Sequence, residues 1–321
     1  MKVRAVADAA GPEISILIVA YGSRGCIGAC LDAVVAGGAE VRHEILLVDN
    51  GTDGSAALVA ARFPQVRILP SQGNIGFARA VNMLARHARG RAVLLLNPDM
   101  VVEAGAIDRL VRASRGDAGT AAWGGVTVDA AGTADTGNMI AAPTLAGLAR
   151  AVVGGGTPAR GTGDDPAVLS GGFVLIDAQA WQEAGGFDED YFLYSEEVDL
   201  FHRLRRKGWT LRRVEGARAR HDIGHGNSLD PRRLLFMAAG KAEFLRKHRS
   251  AAARWTGVGL IWLAAWVRLA AGSVAGHGNA HWRALARGYR RVALAPGLWM
   301  HGYDPDRGLA RQWELGQGPR R

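Results

Sequence analysis

The sequence has few of the features that mark several common classes of protein. Among its 321 residues only Cys26 and Cys30 are cysteines, and no second cysteine pair and no paired histidines accompany them. A disulfide framework is therefore excluded, and we interpret both cysteines as reduced packing residues. The glycines in YGSRGCIG, after the first apolar run, lack the GxGxxG spacing. This argues against a dinucleotide-binding dehydrogenase.

The first 13 residues, MKVRAVADAAGPE, lack an apolar core of signal-peptide length, so we expect a cytoplasmic protein. Acidic residues are also scarce in one part of the chain. From Lys241 onward there are 14 Lys and Arg but 4 Asp and Glu, a net charge of +10, whereas the first 240 residues have a net charge of −1. A basic C-terminal region predicts an anionic partner, either a membrane surface or nucleic acid.

Continuous apolar runs predict the fold class. Runs at residues 14–21 and 44–50 are typical of strands buried on both faces of a parallel sheet, and further strands are expected at residues 66–70 and 91–100, with helical patterns between them. This alternation predicts an α/β fold with an open, mostly parallel twisted sheet and helices on both faces. We place a catalytic domain at residues 1–230 and a helical, basic C-terminal appendage at residues 231–321.

The second half of the predicted catalytic domain is less regular. Residues 132–166 are rich in Gly, Ala, Thr and Pro, and we expect part of them to form a mobile surface loop. A strand is expected at residues 169–177 and a helix at residues 178–187. A second helix is expected at residues 195–209, with Ser195 as its N-cap, followed by a strand and loop at residues 210–222.

Polar side chains follow the predicted strands at the sheet edge where ligands bind in such folds. Asp99, in the tripeptide Asn97-Pro98-Asp99, is suited to hold Mg²⁺ or Mn²⁺, although the same tripeptide is also common in turns. Asp49 can accept a hydrogen bond from a base or ribose, or it can form an Asx turn. His221 and His225 are metal ligands if a metal lies nearby, and polar loop residues otherwise.

Three acids lie within four positions of the stretch SEEVDLF: Glu196, Glu197 and Asp199. Acids in a first helical turn stabilise the helix through its dipole, which is one reading of the cluster. The other is catalytic, because carboxyl groups among apolar neighbours have raised pKa values, as a general base requires. The residues alone leave both readings open.

Seven motifs in one order resemble the family 2 glycosyltransferases, in particular the bacterial rhamnosyltransferase-like branch. They are AYGSRG, VDNGTDGS, GNIGFARAVN, LLLNPDM, LSGGFVLID, GGFDEDYFLYSEEVDLFHRLRRKGW and ARHDIGHGNS, and they cover residues 14–228. The resemblance implies a GT-A fold, a nucleoside-diphosphate sugar donor, a divalent metal (Mg²⁺ or Mn²⁺) on the donor diphosphate, and inversion at the anomeric carbon.

The resemblance also implies roles for individual residues. Asp99 corresponds to the second acid of the family's DxD motif, a metal ligand, and His221 to a histidine that completes the metal site. Asn97 stands where the first acid of that motif would be, and its amide oxygen is a weaker ligand. The residues that the resemblance assigns to the donor site are Ala20, Tyr21, Asp49, Asn74, Gly76, Arg79 and Asn97.

In similar enzymes the acidic tract is Glu-Asp-x-Asp, and its second acid is the base. That position is Glu197 here, so glutamate replaces the usual aspartate. We expect Glu197 to be the base, Glu196 to orient the acceptor and Asp199 to hold the helix start, with Glu196 as the alternative base. The donor is expected to be a dTDP- or UDP-sugar, with dTDP-rhamnose first, and the acceptor a glycan or lipid-linked glycan of the cell envelope.

The C-terminal region contains 13 uncharged residues, 255–267, between Arg254 and Arg268. This run is too short to span a bilayer, and its tryptophans are typical of a membrane interface. We therefore expect peripheral attachment to the cytoplasmic face of an anionic membrane, with packing on the catalytic domain as the alternative. Two other classes remain as alternatives, a sugar nucleotidyltransferase and a nucleic-acid-binding protein, although no zinc, RRM or KH pattern supports binding to nucleic acid.

Overall fold

The computed structural model describes residues 11–129, 132–134, 140–154, 168–221, 229–276 and 279–309. These residues form two compact units. The first unit lies within residues 1–140, 159–188 and 200–222, and the second within residues 141–158, 189–199 and 223–321. The boundary predicted at residue 230 stays a prediction.

The first unit is built on one mixed sheet. Its strands are β1 (Ile14–Ala20), β2 (His43–Asp49), β3 (Val66–Leu69), β4 (Ala92–Leu96), β5 (Met100–Val102), β6 (Thr120–Val128), β7 (Phe173–Asp177) and β8 (Thr210–His221). They lie in the order β3-β2-β1-β4-β7-β6-β8-β5. Strands β3, β2, β1 and β4 are mutually parallel, and β6 is parallel to β8, whereas β7 and β5 run antiparallel to their neighbours.

Ten α-helices lie among the described residues. They are α1 (Ile27–Ala33), α2 (Ser55–Arg62), α3 (Phe77–Ala85), α4 (Ala106–Ser114), α5 (Leu145–Val152), α6 (Ala178–Ala184), α7 (Glu196–Arg206), α8 (Pro231–His248), α9 (Ala251–Ala275) and α10 (Ala280–Leu294). Strands β1, β2 and β4 are almost entirely buried, as their continuous apolar runs predicted. Their side chains form one core with apolar residues of α1 and α4.

One predicted strand is divided in the structure. The run at residues 91–100 was expected to be a single strand, but β4 ends at Leu96 and Met100 already belongs to β5, at the far edge of the sheet. Pro98 explains the break, because proline cannot donate a ladder hydrogen bond in a central strand. The tripeptide Asn97-Pro98-Asp99 forms the turn, closed by a hydrogen bond from Met100 N to Asn97 O at 3.1 Å.

The second unit is helical. Helix α9 packs against α5, α8 and α10. Two long side chains fix these contacts: Trp262 Nε1 donates to Ala293 O at 2.8 Å, and Arg268 donates to Ala151 O at 2.8 Å. The C-terminal region is therefore helical, as predicted. Helix α5 lies inside the region expected to be partly a loop, and residues 135–139 and 155–167 of that region lie outside the described residues.

Candidate active site

The carboxyl ends of β1 and β2 bring three of the predicted donor-site residues together. Ala20 and Asp49 are paired at the ends of the two strands, and Tyr21, the next residue, is 58% exposed. Asp49 is buried, and its two carboxylate oxygens accept hydrogen bonds from Gly51 N at 2.8 Å and Ala56 N at 3.0 Å. Asp49 therefore forms the Asx turn that the sequence allowed. Each oxygen has a second lone pair that a donor group of a ligand can use.

One residue at this sheet edge, Asn50, was not predicted from the sequence. Asn50 is buried, its Nδ2 donates to Gly76 O at 3.0 Å, and its Oδ1 has no hydrogen-bond partner among the described residues. Gly76 has φ of 85°, and its amide donates a hydrogen bond to Asn74 Oδ1 at 3.3 Å. Asn50 thus ties the Asn74–Gly76 segment to the end of β2. Its position directly after Asp49 was the available signal.

Arg79 lies on α3, two residues after that helix begins, and it is exposed. The four donor-site positions Asp49, Asn74, Gly76 and Arg79 therefore belong to one region, formed by the end of β2 and the start of α3. Binding of a nucleotide by these residues stays a prediction.

The predicted metal ligands meet although 122 positions separate them. Met100 and His221 are paired in the antiparallel ladder of β5 and β8, which places His221 Nε2 3.1 Å from Asp99 Oδ2. The other oxygen, Asp99 Oδ1, is buried and has no partner among the described residues. Carboxylate oxygen and imidazole nitrogen can both bind Mn²⁺, and a buried carboxylate oxygen without a partner among the described residues fits a metal ligand.

The metal site is not complete from the described protein residues alone. No group of three His, Cys, Asp or Glu side chains suited to a metal occurs in the described part of the chain. Asn97 lies at the same turn, and its side chain packs beside Gly172, where an added Cβ would approach Asn97 Nδ2 to 3.2 Å. The pair Asp99 and His221 would thus leave several coordination positions for phosphate oxygens and water. His225 lies outside the described residues.

The acidic tract belongs to the second unit and begins with unusual backbone. Tyr194 and Ser195 have φ of 66° and 73°, a left-handed conformation that non-glycine residues seldom adopt. Ser195 is thus not in the extended conformation of an ordinary N-cap, although its carbonyl accepts the first helical bond, from Asp199 N at 3.0 Å. Such strain is concentrated at functional sites.

Helix α7 buries the acids that it carries. Glu196 is 4% exposed and Glu197 is 8% exposed, and one oxygen of each, Oε2, has no hydrogen-bond partner among the described residues. Burial raises the pKa of Glu196 well above its usual value, and the adjacent charge of Glu197 raises it further. Burial also raises the pKa of Glu197, but hydrogen bonds with its own amide, the Glu196 side chain and the Ser195 amide oppose this rise. The hydrogen bonds therefore favour the ionised form of Glu197, and no such favourable balance acts on Glu196.

Asp199 has a different surrounding. Its carboxylate is 1% exposed and lies 2.6 Å from His248 Nε2, at the C-terminal end of α8. The contact joins the first turn of α7 to α8, and the role of Asp199 at the helix start stays a prediction. His248 had no sequence signal, because 49 residues separate it from Asp199 and it lies in no recognisable motif itself.

An α/β sheet with acids at the carboxyl ends of its parallel strands is typical of enzymes that bind ligands at that edge, and comparison with known proteins identifies the class. Residues 15–180 match the family model Glycosyl transferase family 2. Two relatives, N-acetylglucosaminyl-diphospho-decaprenol L-rhamnosyltransferases of Mycobacterium tuberculosis strains CDC 1551 / Oshkosh and ATCC 25618 / H37Rv, are 32% identical over 211 residues. The match covers 58% of this chain and 69% of each relative.

Solved structures show the same fold. The mannosyltransferase PcManGT from Pyrobaculum calidifontis, in complex with GDP-Man and Mn²⁺, has a TM-score of 0.55 at 15% identity, covering 92% of this chain and 85% of that one. GalNAc-T7 with UDP, GalNAc and Mn²⁺ has a TM-score of 0.51 at 16% identity, covering 73% of this chain and 48% of that one. The predicted α/β fold of the GT-A type is confirmed.

The chain belongs to glycosyl transferase family 2. It is a glycosyltransferase of the rhamnosyltransferase-like branch, as the sequence motifs implied. Of the classes left open by the sequence, the comparisons support the glycosyltransferase rather than the nucleotidyltransferase or the nucleic-acid-binding protein.

The raised pKa values give a prediction about stability. A group whose pKa is raised on folding stabilises the protein below its unfolded pKa, and this contribution is lost as the pH rises through the folded pKa. At high pH the wild type must ionise two buried carboxyl groups, which destabilises the folded state. Glu196→Gln replaces one of them by a group that does not ionise. We expect the variant to gain stability over the wild type at pH 8 by roughly 1 kcal/mol or more, since one pKa unit is worth about 1.4 kcal/mol.

Thermal unfolding at pH 8 and pH 5 measures this effect. The advantage of Glu196→Gln should shrink at pH 5, and the exposed control Glu40→Gln should show no such pH dependence. A variant that is less stable than the wild type at pH 8, or an advantage that grows towards pH 5, would contradict the raised pKa of Glu196.

Proposed function

We propose that this glycosyltransferase moves a sugar, with inversion, from a nucleoside-diphosphate sugar to a hydroxyl of a lipid-linked glycan in cell-envelope synthesis. The observation that carries the mechanism is the buried pair Glu196 and Glu197, two adjacent carboxyl groups with raised pKa values. The substrates are inferred from the relatives, whose name specifies an N-acetylglucosaminyl-diphospho-decaprenol acceptor and L-rhamnose as the sugar. The donor that we favour is dTDP-rhamnose, with UDP-hexoses next.

In the proposed reaction the acceptor hydroxyl attacks the anomeric carbon while its proton passes to the Glu197 carboxylate. The new bond joins the acceptor oxygen to the anomeric carbon, and the bond from that carbon to the diphosphate oxygen breaks. The nucleoside diphosphate leaves with the electron pair. Glu196 holds a proton in this scheme, so that only one charge of the buried pair exists and Glu197 remains available as the base.

The donor diphosphate would be held by a divalent cation, Mg²⁺ or Mn²⁺, bound by Asp99 and His221. Both structural neighbours described above contain Mn²⁺ with a nucleotide or nucleotide sugar, which supports a divalent cation and does not distinguish the two metals. When bound, such a cation neutralises charge that develops on the leaving diphosphate. The unpartnered Asp99 Oδ1 is the atom that supports this assignment.

We further propose that the enzyme lies on the surface of an anionic membrane. By length and composition alone, helix α9 could cross a bilayer. Its most apolar stretch of 18 residues has a mean hydropathy of 1.6, and 28% of that stretch is buried. The helix has 25 residues, longer than the uncharged run in the sequence suggested. Its contacts through Trp262 and Arg268 tie one side of it to α10 and α5, which favours a surface position over a crossing.

Helix α9 also exposes large apolar side chains. Those that are at least 38% exposed are Trp255, Trp262, Leu263, Trp266, Val267 and Val274, and the Trp262 ring is among them although its Nε1 donates to Ala293 O. Helix α10 exposes arginines three and four positions apart, at Arg283, Arg287 and Arg290. An apolar face that carries tryptophan, with cations beside it in the chain, is typical of a helix that lies in the headgroup region.

The first test of the mechanism replaces the base. Glu197→Gln should lower transfer by about 10²–10⁴-fold, the usual worth of a general base, and leave nucleotide binding within a few-fold. Transfer to a GlcNAc-diphospho-polyprenol analogue is measured with dTDP-rhamnose and UDP-hexoses as donors. The exposed Glu189→Gln is the matched control and should keep wild-type activity. If Glu197→Gln keeps more than about a tenth of the activity, the base is another residue, with Glu196 next.

The metal is tested separately. Excess EDTA should stop turnover, and added Mn²⁺ or Mg²⁺ should restore it. Asp99→Ala should weaken donor binding measured by calorimetry in the presence of metal, whereas the surface variant Asp32→Ala should not, since Asp32 pairs with Arg62 at an exposed site. Full activity in excess EDTA would refute the metal.

Liposome flotation tests the membrane proposal. The full-length protein should float with anionic vesicles at low salt and much less at high salt. Replacing Arg287 and Arg290 by Gln should reduce binding by roughly tenfold or more, at about 1 kcal/mol per well-placed arginine. The control replaces Arg67 and Arg112, exposed residues of the first unit, and removes the same charge. Protein that stays at the bottom with anionic vesicles at low salt would refute membrane attachment.

A further inference from the structure

The backbone that leads into the catalytic acids is held in a costly conformation. A non-glycine residue at positive φ is strained and persists only where its surroundings enforce it. Tyr194 and Ser195 are two such residues in succession, immediately before Glu196. We call residues 189–199 the acid segment. The contacts that hold it therefore decide where the two carboxyl groups lie.

Helix α8 supports the acid segment along most of its length. Gly240 lies so close that an added Cβ would be 2.4 Å from Tyr194 O and 2.8 Å from Ser195 Oγ. The ring of Phe192 stacks on that of Phe236 with 5.6 Å between centroids. At the far end, His248 contacts Asp199, as described above. These contacts reach the segment through close packing, ring stacking and one side-chain pair.

A hydrogen bond to the backbone just before the strained pair comes from the turn after α10. Tyr303 is buried, and its Oη donates to the carbonyl oxygen of Leu193, the residue before Tyr194. Its ring also meets the edge of the Tyr191 ring, at 6.3 Å between centroids. Burial raises the pKa of Tyr303 well above its usual value. The phenol therefore keeps its proton, and can donate, at pH values at which an exposed tyrosine begins to ionise.

A buried ion pair fixes the backbone of Tyr303. Glu243 on α8 is fully buried, and its Oε2 accepts hydrogen bonds from Tyr303 N at 3.0 Å and from Arg246 Nε at 3.0 Å. Gly302 makes this approach possible, because its φ is 71° and a Cβ there would lie 2.2 Å from Glu243 Oε2. A continuous chain of contacts thus runs from Glu243 through Tyr303 to Leu193.

We propose that Tyr303 is a positioning residue that holds the acid segment so that Glu197 can act as the base. The proposal rests on the function proposed above, and it extends the catalytic machinery to a residue more than 100 positions further along the chain. Tyr303 does not touch the reacting atoms in this account. It fixes the carbonyl group from which the two left-handed residues turn into α7.

The test uses the full chain with Tyr303→Phe, which removes the hydroxyl and keeps the ring. We expect kcat to fall by roughly 10–100-fold, the size of effect that a small misplacement of a catalytic group produces, with donor KM within about twofold. Tyr289→Phe removes a hydroxyl from α10 of the same unit, where the ring lies against Arg268, and should leave kcat unchanged. A kcat within twofold of wild type for Tyr303→Phe would overturn the proposal.

Amide hydrogen exchange gives a readout that does not depend on activity. Tyr303→Phe should speed exchange of peptides that cover residues 191–199, including the Asp199 amide bonded to Ser195 O, and leave the sheet peptides unchanged. Exchange equal to wild type in that segment would overturn the proposal even if no substrate were found. A wild-type enzyme that transfers no sugar, with faster exchange in the variant, would refute the proposed function and support the positioning role.

Discussion

The burial of two adjacent carboxyl groups is the constraint on which this enzyme's proposed chemistry depends. Glu196 and Glu197 are neighbours in the chain and both lie away from water. Two charges cannot be held there without a large cost in desolvation and repulsion, so the pair keeps a proton. The hydrogen bonds around Glu197 oppose the rise of its pKa, and this asymmetry supports the proposal that Glu197 is the base and Glu196 the proton holder.

The surrounding structure follows from that constraint. A buried carboxyl pair is costly to keep away from water, and the backbone that leads into it is strained rather than relaxed. Support therefore comes from outside the segment: the close approach of α8 at Gly240, the His248 contact with Asp199, and the hydrogen bond of Tyr303. Residues near the C-terminus thus contact the acid segment, apart from the membrane attachment that we propose for α9.

Local patterns predicted the parts of the fold that are locally determined. The buried runs that became β1, β2 and β3 were continuous and apolar, and such runs admit few other readings. Strand β6 was not anticipated, because its sequence TAAWGGVTV lacks the density of large apolar residues that marked the other strands. The break at Pro98 was readable in principle, but the pairing of β5 with β8 at the far edge depends on contacts across more than 100 positions.

In the candidate site, too, residues in local motifs were predicted, and residues that act through distant contacts were not. Asp49, Asp99, His221 and the acids were found because they stand in motifs, and the structure brings Asp99 and His221 into contact. Asn50, His248 and Tyr303 were missed. Each has its role through a partner distant in sequence, such as Gly76, Asp199 or Leu193, and no local pattern encodes such a pair.

The shared proton can be observed directly by difference infrared spectroscopy of the wild type against Glu196→Gln. At neutral pH the wild type should show the carbonyl band of a protonated carboxylic acid in water-excluded surroundings, and Glu196→Gln should lack it. The buried surroundings of Glu196 and its raised pKa require that band. Its absence from the wild type at neutral pH, or its persistence in Glu196→Gln, would contradict the assignment of Glu196 as the proton holder beside the base.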